Sequence, residues 1–141
     1  MKPLIVGLVN EKSWKPLDAL EPYTPNGAGE RLWQMLYDVT GATKEEYLDR
    51  FDRANVFESK TRSWRDVSSL VRTMMEDREV VVLGRHAWML LGLNKCAWFD
   101  KTGKCWLIPH PSGRCRMYNT SSNRDRAGRI LAEVGKWTTM I

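Results

Sequence analysis

Cysteine is scarce and oddly numbered: Cys96, Cys105 and Cys115 are the whole set, and no two lie close enough in sequence to form a paired metal motif. An odd count argues against a closed disulfide framework, and the missing C-x-x-C spacing argues against a zinc or iron–sulfur site, so neither metal nor cofactor is expected. Long apolar runs are missing too. The clearest, Leu4 to Val9, falls far short of the roughly 20 residues that a membrane-spanning helix needs. Behind Met1-Lys2-Pro3 it is also too short for a secretory signal, and no small-residue cleavage site follows it. The expectation is a soluble intracellular monomer, cytoplasmic and nucleoid-associated or nuclear, with no membrane partner. Acidic residues are deficient in one region only. Residues 101–141 carry 8 Lys and Arg against 2 Asp and Glu, whereas residues 1–100 carry 14 against 15. Such one-sided charge suits a polyanion, because neutralising phosphates releases counterions; a merely solvated basic face is the plainer reading.

What is present amounts to one domain. A chain of 141 residues with 43% apolar content can bury an ordinary core, and seven tryptophans are many for that length. The most informative stretch is Trp106-Leu-Ile-Pro-His-Pro-Ser-Gly-Arg-Cys-Arg-Met-Tyr-Asn119. It starts as a β-favouring apolar run and breaks at two prolines that fix the backbone on either side of His110. A Ser112-Gly113-Arg114 turn follows, with Arg116 just beyond. Ser112, Arg114 and Arg116 carry donors suited to phosphate oxygens, and Gly113 lets a backbone come close to a ligand.

Taken in order, Leu4 to Val9 reads as a central strand covered on both faces. Asn10 to Asn26, with Pro16, Pro22 and Pro25, reads as a long loop, and long ordered loops tend to be functional. Gly27-Ala-Gly29 enters a helix with Ala28, Leu32, Met35, Leu36 and Val39 on one face, stopped by Gly41. Thr43-Lys-Glu-Glu46 is a capping box opening a short helix through Tyr47, Leu48 and Phe51. Ala54 to Phe57 suggests a second strand. Ser63-Trp-Arg-Asp66 suggests a helix start, with Val67, Leu70, Val71 and Met74 as the buried stripe. Glu79 to Leu83 is the third strand, Gly84-Arg-His86 follows it, and Ala87 to Leu91 is the next helix. Cys96 to Phe99 suggests a small extra strand before the fourth, Trp106 to Ile108. Ser121 or Ser122 opens a last helix with Ala127, Ile130, Leu131 and Val134 inward and Gly135 as its stop. Alternating strands and helices predict an α/β fold: a three-layer α/β/α sandwich around a central four-stranded parallel sheet, with ligands at the carboxyl ends of the strands.

This order of motifs resembles the uracil-DNA glycosylase superfamily. The residues that carry the resemblance are a strand ending near Gly7, the proline-flanked Tyr23 and the Gly27-Ala-Gly29 helix entry. To these are added Asn55 on the second strand, Val81-Val-Leu-Gly-Arg-His-Ala87, and above all His110-Pro-Ser-Gly-Arg114. The resemblance implies a DNA glycosylase that hydrolyses the N-glycosidic bond of uracil or a related modified pyrimidine flipped out of DNA. His110 would then hydrogen-bond the pyrimidine carbonyl and steady the departing anion. Asn55 would read the base edge and Tyr23 would stack on the base, with Gly7 and Leu8 also at the substrate. Ser112, Gly113, Arg114 and Arg116 would grip the DNA backbone. The family's first motif places a water-orienting polar residue shortly after the glycine. Here the run is Gly7-Leu-Val-Asn-Glu11, so Val9 stands where that residue aligns. Asn10 fills the role after a one-residue shift, or Glu11 or Asp18 brings a carboxylate from the loop. The alternatives are a glycosylase-fold protein that binds DNA or a nucleotide base without cutting, and an enzyme of modified-nucleotide metabolism.

Overall fold

A computed structural model describes residues 1–9, 18–60, 63–113 and 115–137. Its strands are β1 (Leu4–Val9), β2 (Asp52–Lys60), β3 (Ser63–Asp66), β4 (Val80–Leu83), β5 (Asp100–Thr102) and β6 (Cys105–Ile108). Its helices are α1 (Ala28–Thr40), α2 (Lys44–Arg50), α3 (Ser68–Met74), α4 (Arg85–Leu90) and α5 (Ser121–Val134), with a short 3-10 helix over Arg116–Asn119. The strands form one six-stranded sheet in the order β3-β2-β1-β4-β6-β5. β1 pairs in parallel with β2 and β4, and β4 with β6, while β3 and β5 run antiparallel at the two edges. The fold is therefore α/β as expected, but the sheet is mixed and among the described residues has six strands rather than four.

Apolar side chains alternate between two cores. Ile5, Val81, Leu83 and Ile108 face one core together with Leu32, Met35 and Leu36 of α1, Tyr47 of α2 and Leu131 of α5. Leu4, Val6, Val80, Val82 and Leu107 face the other, which α3 and α4 cover with Val71, Ala87 and Trp88. Burial on both faces explains why β1 and β4 read as unbroken apolar runs. Cutting Leu36 or Leu131, both fully buried, to Ala would cost about 2–5 kcal/mol. Gly128 lets α5 lie directly on α1, since a Cβ there would sit 2.2 Å from the Met35 carbonyl oxygen.

Several local expectations hold. Thr43 and Glu46 form the reciprocal capping box of α2, Gly41 ends α1 in the left-handed conformation, and Ala127, Ile130, Leu131 and Val134 are the buried face of α5. Others are corrected. Ser63 to Asp66 is a strand, not a helix start, because its backbone pairs with β2 from Phe57 to Lys60; Asp66 instead accepts from the Ser68 backbone N–H just ahead of α3. Leu70 is exposed, so of the expected stripe Val67, just ahead of α3, and Val71 are buried and Met74 packs partly buried against the same core. Cys96 to Phe99 is not a strand; the small edge strand is Asp100–Thr102. Thr120, rather than Ser121 or Ser122, caps α5 by accepting from the Asn123 N–H. No helix among the described residues is long and apolar enough to cross a membrane.

Candidate functional site

β6 delivers His110 to the carboxyl end of the sheet, and the chain around it is held from several directions. The Gly84 N–H donates to the Ile108 carbonyl at 2.8 Å, and Gly84, at φ 90°, leaves room for His110, whose Cβ lies 3.3 Å from where a Gly84 Cβ would stand. Ser112 N–H donates back to the His110 carbonyl at 2.9 Å, and Cys115 N–H to the Ser112 carbonyl at 3.1 Å. The Tyr118 hydroxyl donates to the Pro109 carbonyl at 2.6 Å, and burial pushes its pKa far up, so the donor persists into alkaline solution. The imidazole therefore rises from a backbone that has little freedom to shift.

The facing wall is the second half of the proline-rich loop, over the start of α1. Its path is fixed by distant residues. The Tyr47 hydroxyl donates to the Leu20 carbonyl at 2.9 Å, and Arg53 Nη1 to the Ala19 carbonyl at 2.8 Å. Gly29 admits the loop against the helix, because a Cβ there would lie 2.2 Å from the Glu21 carbonyl oxygen. The Glu21 carboxylate accepts from the Tyr23 N–H and the Thr24 hydroxyl. These ties hold Leu20 at φ 54°, a left-handed backbone that costs a leucine about 1–2 kcal/mol. Strain of that kind survives only where the surroundings over-determine it.

Between the walls lies a cavity of about 680 Å³, inside the roughly 300–1,000 Å³ range of small-ligand pockets. His110, Ser112 and Gly113 line one side, and Leu8, Val9, Leu20 and the Gly27-Ala-Gly29 helix entry line the other, with Asp18 and Glu21 also among the lining residues. A second hollow of about 380 Å³ lies beyond the Ser112–Gly113 turn, bounded by Arg31, Gln34 and Arg124. Here Gly113 accommodates a side chain of the protein itself: a Cβ there would stand 3.2 Å from Arg31 Nη2.

Four of the expected site residues, Leu8, His110, Ser112 and Gly113, meet at the main cavity. Gly7 and Asn55 are register partners one layer beneath it. Gly7 has no side chain to spare: a Cβ would lie 2.5 Å from Asn55 Oδ1 and 3.2 Å from a Leu20 methyl. Asn55 Oδ1 is buried with no hydrogen-bond partner. Tyr23 does not reach the cavity. It is 52% exposed, its hydroxyl donates to Glu45 at 3.4 Å, and Lys44 Nζ sits 5.5 Å from its ring centroid. Desolvation first, then the Glu45 charge, raises its pKa. Arg116 is exposed at the head of the 3-10 helix and lines neither hollow. Asn10, Glu11 and Arg114 lie outside the described residues. Among the described residues, no Phe, Tyr or Trp lines the cavity.

Sequence reasoning missed the positioning residues Tyr47, Arg53 and Tyr118, and the cationic pair Arg31 and Arg124. Only Tyr118 left a signal, as a tyrosine close behind His110 in sequence; the others act across long sequence separations. No protein-family model, no curated protein and no solved structure matches the chain. By its own geometry the chain is a mixed α/β protein with an open cavity where its parallel strands end, lined by residues that include His110, Asp18 and Glu21.

Proposed function

We propose that the chain is a DNA glycosylase-like hydrolase that removes uracil or a related modified pyrimidine from DNA. The observation that carries the reading is that Asp18 and His110, from opposite ends of the sequence, line one cavity at the strand ends. In the reaction, water adds to the anomeric carbon of the sugar as the N-glycosidic bond breaks and its electron pair leaves with the base. Asp18 orients that water and takes its proton. His110 donates to the base carbonyl as negative charge builds there, a role that favours a fixed donor. The departing base is then protonated, and an abasic site remains. Asn55, with its carbonyl oxygen unpartnered, reads the base edge once the Leu20 methyls above Gly7 give way. Arg31 and Arg124, around the adjoining hollow, donate to the flanking phosphates.

A second reading, recognition of a base without turnover, is favoured by the apolar Leu8 and Val9 at the end of β1. A gel assay separates the two readings. Oligonucleotides bearing uracil and several other modified pyrimidines are incubated with the protein and then treated with alkali. Strand cleavage that Asp18→Asn and His110→Ala abolish supports hydrolysis; binding without cleavage across the panel supports the second reading.

A further inference from the structure

The loop wall of the cavity carries an apolar plug. Leu20 is part of the cavity lining, whereas Gly7 and Asn55, one layer beneath, are not. The two Leu20 methyls lie 3.2 and 3.3 Å from the point that a Gly7 Cβ would occupy, and Asn55 Oδ1 lies 2.5 Å from that same point. Leu20 is thus the side chain common to the cavity and to the Asn55 amide, and the oxygen beneath it is buried with no partner. Two unfavourable features meet in this closed arrangement, a leucine at φ 54° and an unanswered amide oxygen. Both are relieved when Leu20 turns away from Gly7.

The ties that oppose this movement are graded from the core to the surface. The hydroxyl of the fully buried Tyr47 donates to the Leu20 carbonyl at 2.9 Å, and Arg53 Nη1 donates to the Ala19 carbonyl at 2.8 Å. Farther out the tie is a cation. Lys44 Nζ stands 5.5 Å from the centroid of the Tyr23 ring, 4.9 Å from that of Trp33 and 3.8 Å from the Glu30 carboxylate, so one ammonium joins the loop to α1. The Tyr23 hydroxyl donates to Glu45 at 3.4 Å. Lys44, Glu45 and Tyr47 all belong to α2, whose own capping box is complete. A strained residue held by a few hydrogen bonds and one cation has two arrangements close in free energy, and a ligand that prefers one of them shifts the balance.

We infer that Leu20 is a gate: it is closed over Asn55 in the free protein, is latched by α2 through Tyr47 and Lys44, and opens to admit a ligand to the Asn55 amide. The gate is a property of the free protein; only the choice of uracil as its ligand rests on the function proposed above. The test is ¹³C relaxation dispersion on the leucine methyls of the whole protein without ligand, with the fully buried Leu36 as the still reference. Leu20 is expected to exchange between a major and a minor state while Leu36 does not. Tyr47→Phe is expected to raise the minor population about fivefold, the factor equivalent to one lost hydrogen bond, and Lys44→Ala, nearer the surface, about twofold. Free uracil is then titrated and followed at the Asn55 side-chain amide. Leu20→Ala is expected to bind it about tenfold more tightly than the parent, because the unplugged amide is always accessible. The inference is overturned if the Leu20 methyls show no exchange, if neither latch variant changes that exchange, or if Leu20→Ala binds uracil no more tightly than a parent that binds it. Excision of uracil from DNA by a protein whose Leu20 is motionless would sink the gate and leave the glycosylase reading standing. Exchange that follows the latch variants, in a protein that neither binds uracil nor excises it, would do the reverse.

Discussion

The two ends of the sheet treat their buried polar groups differently. At the amino ends, Arg78 is almost fully buried and its guanidinium is occupied all round: it donates to the Lys2 carbonyl and the Met74 carbonyl and pairs with Asp52. Toward the carboxyl ends, Asn55 Oδ1 on β2 is buried with no partner, and Leu20 is held in a left-handed backbone above Gly7. Of the two other such atoms among the described residues, Arg53 Nε belongs to the second residue of β2, on a side chain whose Nη1 reaches the Ala19 carbonyl of the loop, and Trp137 Nε1 adjoins the C-terminal residues outside the description. A buried polar atom without a partner costs about 1–3 kcal/mol, and a fold that can close its network at one end has no packing reason to leave it open at the other. On the function proposed above, the amino end is arranged for stability and the carboxyl end for a ligand.

The largest effect that sharpens this contrast should come from His110→Ala. It is expected to slow base excision by about 100-fold or more while leaving the melting temperature within a few degrees, as measured by single-turnover kinetics and thermal unfolding. At the opposite end Arg78→Met should do the converse. It leaves two backbone carbonyls and Asp52 unanswered and should cost about 3 kcal/mol in urea unfolding, with the single-turnover rate of the folded fraction unchanged. A smaller loss, about 1 kcal/mol, is expected for Tyr118→Phe, which removes the hydroxyl holding the Pro109 carbonyl; the excision rate should fall with it as His110 gains freedom. The smallest effect has the opposite sign. Asn55→Leu removes a buried oxygen that has no partner, so it should leave stability unchanged or raise it by about 1 kcal/mol, while discrimination between pyrimidines is lost.

Alkaline unfolding gives a further check. Burial raises the pKa of both Tyr47 and Tyr118 above the ordinary 10.0 of an exposed tyrosine. The unfolded chain therefore loses these protons first. Their contribution is full below that pH and is lost as the pH climbs above it, by up to about 1.4 kcal/mol per pH unit for each group. The stability profile of Tyr118→Phe above that pH should be flatter than the parent's.

Much of the scaffold was legible because it is local. The unbroken apolar runs of β1 and β4, the inward faces of α1 and α5, and the Thr43 capping box are all written within a few residues of themselves. β2 was underestimated because most of its length is polar and half-exposed; pairing on both edges, with β1 and with β3, makes it a strand, and that is a property of its neighbours. β3 was misread because a serine and an aspartate three apart also signal a helix start. The site divides the same way. His110 was visible because prolines on either side of a histidine at a strand end are a local signal. Tyr23 was placed wrongly because the course of its loop is set by Tyr47, Arg53 and Gly29, none of them adjacent in sequence.

The most direct test of the contrast between the two ends is a ¹H–¹⁵N NMR titration with a uracil-bearing single-stranded oligonucleotide. The expected result is concerted shifts in the Asn55 side-chain amide and in the backbone of residues 18–29 and 110–113, with Arg78, Asp52 and Lys2 unmoved. Shifts gathered around Arg78, or an Asn55 amide that stays still while the oligonucleotide binds, would contradict the account.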